Sequence, residues 1–429
     1  MRKSVCVGIL VLFVGSLVFS GSIALAQQKL RVAAPPWIYK KFPLEEVMDR
    51  FEADHPGVTI ERIRASKWSA PTYIAEWKTG STSFDVFVGG SGSMLSPIIV
   101  GDWTEPLDDM LTGHMAPDKF VGGFLSAGRY QRSDGSGPYY PGIPFVGEVS
   151  IIGVNTKLMK EAGLWEGGKP VPIPSWDEGE FFDWWNKLAA VSPLGAHIQI
   201  WDREFMQYDW CGAIQAMSGT FLEEDGRGFD TSSDAAKKWG NYLQQMYNER
   251  IGVWTITDAS GYSKWKTGAA GSFYAAQGHI MELVRITGDE SDIAYIGWPG
   301  ATEKGSIIWT HSVWMPKVCP VKELGKAFIR EQVFSPHMQQ WSFNNYGKLP
   351  VMKAYYGEGI EWFQGQMPTI LAIANASKPI PLFKDIDKYL DVLQEYLSQA
   401  VHGRMSIEKA FNRIQEESKD LDFTDIRAL

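Results

Sequence analysis

The sequence predicts an α/β protein built as two domains. Three observations carry that expectation. The chain has 429 residues, and the roughly 400 that follow its leader are more than one hydrophobic core serves. Strand-length apolar runs alternate with helix-length stretches. This begins with a strand–helix–strand series over residues 29–63, so the first strands pair in parallel. Finally, the run Gly147–Val154 reads as a largely buried strand with one carboxylate, Glu148, at its mouth. A carboxylate there is costly unless something pairs with it. Glu148 is therefore expected to face a cleft between the domains, with a ligand among its partners.

The elements follow in chain order. Arg2 and Lys3 precede an apolar run from Val5 to Phe19, and Ala24-Leu25-Ala26 supplies a small-x-small pattern before Gln27. This is a secretory signal peptide over 1–26, its apolar run too short for a comfortable membrane span. Cys6 lies too early for a lipid anchor, so a soluble, exported, periplasmic protein is expected. Lys29–Ala34 is a strand, and Pro35 to Lys40, with Trp37 and Tyr39, reads as a loop. Leu44–Ala53 is a helix stopped at His55-Pro56-Gly57, and Val58–Ile63 a second strand. After a helix at Thr72–Lys78, Phe84–Val88 is a strand closed by Gly89-Gly90-Ser91-Gly92-Ser93. Ligands of α/β sheets collect at the carboxyl ends of strands, and amides of a glycine turn can bind anions or hydroxyls. A plain tight turn is the other reading. No Gly-Lys-Ser/Thr follows, so the loop is not a nucleotide-binding one.

Asn155-Thr156 caps a helix starting near Lys157. Trp176–Ala190 and Phe205–Met217 are helices separated by a loop, Ala196–Glu204. Thr231-Ser232-Ser233-Asp234 caps a helix running to about Glu249. Ile293–Pro299 is a strand element. In the run 305–316, GSIIWTHSVWMP, Trp309 and His311 share one face and Trp314 takes the other. Helices are expected over Val321–Phe334, Pro336–Asn344, Lys384–Val401 and Ser406–Lys419, the last with Ser406 as its cap.

Charge and composition exclude some functions. The formal net charge is -9, and beyond residue 26 it is -11, from 39 basic and 50 acidic residues. That balance argues against general nucleic-acid or anionic-membrane binding. The 18 Trp suit both core anchoring and a ligand with flat, weakly polar faces. Cys211 and Cys319 are expected as buried thiols, although export permits a disulfide. There is no His-Glu-x-x-His, Gly-x-Ser-x-Gly, Walker sequence or EF-hand loop. Ser263-Lys264-Trp265-Lys266 and Lys266-Thr267-Gly268 overlap at Lys266, so they cannot meet across a pocket as in serine acyl-transferases. His311 lacks spaced metal partners. Glu148 with Asp202 is the pair a glycoside hydrolase would use.

An ordered series of segments carries a resemblance. It comprises the Pro-aromatic turn before Gly147, Asn-x-Lys-Leu at 155–158, Gly163-Leu164 and Pro-x-Trp-Asp-Glu at 174–178. Glu105-Pro106-Leu107-Asp108, the Lys264–Tyr274 region and Gly347-Lys348-Leu349-Pro350 continue it. Together they resemble the bacterial extracellular solute-binding proteins of carbohydrate type, which are maltose-binding-protein-like components of ATP-binding-cassette importers. The resemblance implies a two-lobed periplasmic-binding-protein fold with hinged lobes and a central cleft. Lobe 1 would span 27–145 and 308–334, and lobe 2 would span 146–307 and 335–429. Hinges would lie at about Pro144–Gly147, Ile307–His311 and near Ser335.

Carried onto this chain, the ligand candidates are Trp37, Tyr39, Gly90, Ser91, Ser93, Glu148, Tyr208, Trp210, Trp309 and His311. For each aromatic, packing within its own lobe is the competing reading. Where the family often places a further Trp, this chain has Ala276-Gln277-Gly278-His279, which leaves a second stacking wall unassigned. The implied function is capture of a small polar solute, a sugar or polyol, and its delivery to membrane permease subunits. The protein would work as a monomer without metal or cofactor. The alternatives are a receptor for a cationic or amine solute held in an aromatic box, and a carbohydrate-active enzyme.

Overall fold

The computed structural model describes residues 27–424 apart from 66–69, 91, 133, 201–202, 256–262, 266, 279, 282–283 and 285–288. Side chains of 92–95, 198–200, 203–207, 253–255 and 275 also fall outside the description, as does the expected leader.

The first strand, Gln28–Ala34, pairs in parallel with Val58–Arg64 and with Val86–Val88. Between the first two, helix Leu44–Asp54 buries Leu44, Val47, Met48 and Phe51. That spacing makes one apolar stripe at the helical period, which seals a face of the sheet. Asp85, at the head of the third strand, is fully buried and tied by Arg31 through Nε at 3.1 Å and Nη2 at 2.7 Å.

Two strands carry the architecture beyond this unit. Gly142–Asn155 is buried along its whole length except at Asn155. Its first part pairs antiparallel with the return strand Ile307–Trp314, which in turn pairs with Val86–Val88. Its second part leaves those partners and pairs with Ser272–Ala276 and Ile293–Ile296. One continuous strand therefore belongs to two groups of neighbours, with nine strands joined in a single mixed sheet. Asn155 ends it by accepting a hydrogen bond from the Leu158 amide at 3.1 Å, capping helix Thr156–Glu161. Ser233 and Ser406 cap helices Asp234–Asn248 and Ile407–Ser418 in the same way.

Three segments differ from expectation. Pro36–Lys41 is a short helix where a loop is expected. Pro36 sits in its first turn, where a missing N–H costs nothing and φ is preset. His197–Ile200, inside the expected loop 196–204, is a strand paired in parallel with Gly252–Thr255, because the pairing satisfies a backbone that the local sequence leaves undecided. The expected helix 321–334 is α-helical only over Lys322–Phe328, then widens into a π-helical stretch, Ile329–Val333.

Beyond Ser335 the chain makes contacts with both groups. Helix Pro336–Tyr346 stays with the first group: His337 Nε2 pairs with Glu46 at 2.9 Å, and the Val121 amide bonds Val351 O at 2.9 Å. Further on, Phe363, a non-glycine residue at φ 52°, reaches the second group, its amide bonding Glu290 Oε2 at 2.9 Å. Cys211 and Cys319 are both free and buried. Among the described residues no helix is long and apolar enough to cross a membrane.

Candidate functional site

The paired strands 142–149 and 307–314 present two faces. One is closed from behind by helix Gly122–Ser126. A Cβ on Gly147 would fall 2.4 Å from the Phe124 ring, so only glycine lets the helix approach this closely. The other face is open. Trp309 and His311 are partly exposed, while Ile308, Thr310 and Ser312 between and beside them are buried. Glu148 lies directly opposite Trp309 in the antiparallel register, and Val146 opposite His311. Opposed residues leave a sheet on the same side, so Glu148, Trp309 and His311 share this face, with Glu148 itself buried.

Two further rings complete it. Trp37, on the short helix Pro36–Lys41, packs on His311 with centroids 4.6 Å apart and planes tilted 54°. Its other neighbour is Phe42, edge-on at 6.3 Å. Tyr208, on helix Arg203–Ser218, meets Trp309 edge-on at 5.9 Å and 77°. The structure thus sets Trp37 beside His311 and Tyr208 beside Trp309, two pairs spaced along the return strand.

Tyr39 and Trp210 do not join these pairs, for a shared reason. Each lies two residues beyond a ring that does, and two helical residues turn about 200° around the axis. Tyr39 turns toward the second strand, its hydroxyl donating to Ile63 O at 3.4 Å and its ring 5.0 Å beneath the Arg64 guanidinium. Burial raises its pKa, with Arg64 opposing the shift. Trp210 is fully buried; Nε1 donates to Asp230 O at 3.1 Å and the ring packs edge-on to Phe411.

The glycine corner docks beside His311. The Gly89 amide donates to Ser312 O at 3.0 Å, and the Ser312 amide donates to Gly90 O at 3.1 Å. These bonds fall where the return strand shifts register, between His311 and Ser312. Gly89 and Gly90 hold φ of 126° and 91°, reached at low cost only without a Cβ. Ser91 and the Ser93 side chain lie outside the described residues, as do Asp202 and His279.

The partner that Glu148 requires was missing from the sequence reading. Lys348 Nζ donates to Glu148 Oε1 at 2.6 Å, with the two side chains 5% and 4% exposed. Gln277 braces the same spot: its Oε1 accepts from the Val149 amide at 3.3 Å and its Nε2 donates to Gly347 O. The signal for Lys348 was half visible. A buried carboxylate demands a cation, and Gly347-Lys348-Leu349-Pro350 already stood out as a turn, but nothing local linked the two. Among the described residues no cluster of His, Cys, Asp and Glu could hold a metal ion.

Comparison with known proteins agrees with this architecture. The sequence profile of the family described as "Bacterial extracellular solute-binding protein" matches residues 46–368. Among solved structures, the sugar-binding protein MalE from Xanthomonas citri superposes with a TM-score of 0.75. It has 14% identity over 92% of this chain and 97% of its own. Maltose-bound MalE3 of T. maritima gives 0.70 at 16% identity over 92% and 99%. UgpB of Mycobacterium tuberculosis, in complex with glycerophosphocholine, gives 0.66 at 16% identity over 88% and 93%. These likenesses show the two-lobed, mixed-sheet fold. No curated protein matches the chain in sequence.

Proposed function

We propose, starting from a chain that belongs to the bacterial extracellular solute-binding protein family, that it captures a neutral polyhydroxy solute, a sugar or polyol. It would deliver that solute to the permease subunits of an ATP-binding-cassette importer, working as a monomer in the periplasm after loss of residues 1–26. The family is one of binding proteins, which sets the enzyme reading aside. The lobes would be 27–145 with 308–334 and 146–307 with 335–429, with helix Pro336–Tyr346 transferred to the first lobe on the contacts described above.

One observation supports this reading most. Four rings from three separate segments gather at the strands that both lobes share, and three of them keep part of their surface exposed. Such rings offer flat apolar area to sugar C–H faces at little entropic cost. The carboxylate among them is already neutralised by Lys348, which favours an uncharged guest over the cationic alternative. Several fold relatives are sugar receptors by name: one is bound to maltose and another is a chitin oligosaccharide binding protein. Closure of the lobes over the solute would be the state an importer reads. A ligand drives closure only by its preference for that state.

The test is isothermal titration against a panel of mono- and disaccharides, polyols and amines, with small-angle scattering of the best ligand's complex. A neutral polyhydroxy compound should bind and compact the particle. An amine as the only binder, or chemical turnover of the bound compound, would reject the proposal.

A further inference from the structure

We infer that Lys348 sets the charge preference of the cleft: by occupying Glu148 it reserves the site for uncharged solutes and keeps organic cations out. This rests on the open aromatic face being the solute site. Aromatic faces attract cations electrostatically, and a carboxylate beside them completes a receptor for an ammonium group. Trp309 and Glu148, opposite each other on the same face, are two parts of that receptor. Lys348 competes with any such ammonium for that carboxylate: its own ammonium lies 2.6 Å from Oε1.

The surroundings hold Lys348 in this task. Leu349 and Pro350 pair with Gly147 and Val146 on the long strand, next to Glu148. Gly347 O, on the other side, accepts from Gln277 Nε2. The lysine backbone is thus clamped at both ends. Gly278 closes over the pair: a Cβ there would lie 2.2 Å from Glu148 Oε1 and 3.3 Å from Lys348 Cδ. Any side chain at 278 would push the carboxylate out of line with its lysine. The two charges sit in a water-poor site, where their fields are weakly screened, so the presence or absence of either is felt across the aromatic face. Lys348 acts through Glu148 and is a positioning residue for specificity.

The experiment uses the mature protein and fixed probes: maltose, trehalose and xylitol as neutral solutes, choline and spermidine as cations. Titration calorimetry compares wild type with Lys348→Met, Lys348→Arg and the double variant Glu148→Gln/Lys348→Met, each checked for folding by circular dichroism. The wild type and Lys348→Arg should share a neutral preference. Lys348→Met should weaken the neutral probe about tenfold or more and gain cation binding that fades with added salt. The double variant should lose cation binding and recover the neutral probe.

A folded Lys348→Met that keeps the wild-type profile overturns the inference, because a purely structural lysine would behave so. If Lys348→Met does not fold, the double variant decides. Neutral binding near the wild-type level supports the inference, and its loss in a folded double variant overturns it. Trp309→Ala separates this from the underlying reading. Unchanged neutral binding in that variant removes the site itself, whereas weakened binding with no effect of Lys348 removes only the role given to the lysine.

Discussion

The protein holds two aromatic assemblies that differ in how far they are covered. The first lies within the second group of strands and helices. Trp298 is its hub, with Trp239 at 4.9 Å, Tyr274 at 5.3 Å, Trp176 at 5.7 Å, His197 at 5.8 Å and Trp185 at 6.1 Å. Nearly every member is buried, and one pair of the polar side chains it swallows is matched internally. His197 Nε2 meets Asp209 Oδ2 at 3.0 Å, and burial holds the Asp209 carboxyl above the usual range even as His197 pulls it down. The second assembly is the set Trp37, His311, Trp309 and Tyr208, in which Tyr208 is buried while Trp37, Trp309 and His311 stay partly exposed. The difference teaches that neighbouring aromatic clusters in one chain can differ sharply in exposure. A count of Trp cannot report that.

The comparison can be broken most directly at the hub. Trp298→Ala should cost about 3–5 kcal/mol of stability, the range for deleting a buried large aromatic, read by chemical denaturation. Residual folded protein should keep its ligand affinity. A specific loss of binding at full stability would mean that the buried assembly, and not the partly exposed one, serves the ligand.

Trp309→Ala should do the reverse. Losing a large ring face should weaken binding by about 1.5–3 kcal/mol, roughly 10- to 150-fold, while the melting temperature moves little. Calorimetry with the best neutral ligand checks both halves of this statement.

A finer contrast lies between neighbours on one short helix. Trp37→Ala should weaken binding about tenfold, whereas Tyr39→Phe should leave affinity unchanged and stability within about 0.5 kcal/mol. Equal effects of the two would show that the helix Pro36–Lys41 does not divide them between cleft and lobe.

The smallest effect concerns the thiols. Burial pushes Cys319 up to about 12 and raises Cys211 well above its ordinary value. Both therefore stay protonated and unreactive across pH 7–9 in the native protein. Ellman titration should detect neither thiol until denaturant is added, and native labelling of Cys211 would mean that the core around helix Arg203–Ser218 opens readily.

Much of this architecture was readable along the chain, because its signals act over a few residues. The apolar stripe of Leu44–Asp54, the caps Asn155, Ser233 and Ser406, and the alternation that puts Trp309 and His311 on one face are all local chemistry. The tertiary structure alone decided the rest. It folded 36–41 into a helix and so parted Trp37 from Tyr39. It chose which of Tyr208 and Trp210 would reach the strands. Above all, it brought Lys348 to Glu148 across 200 residues of sequence. A buried carboxylate announces that it needs a counter-charge, but the attraction depends on distance in space. No periodicity or spacing along the chain records which lysine will be near.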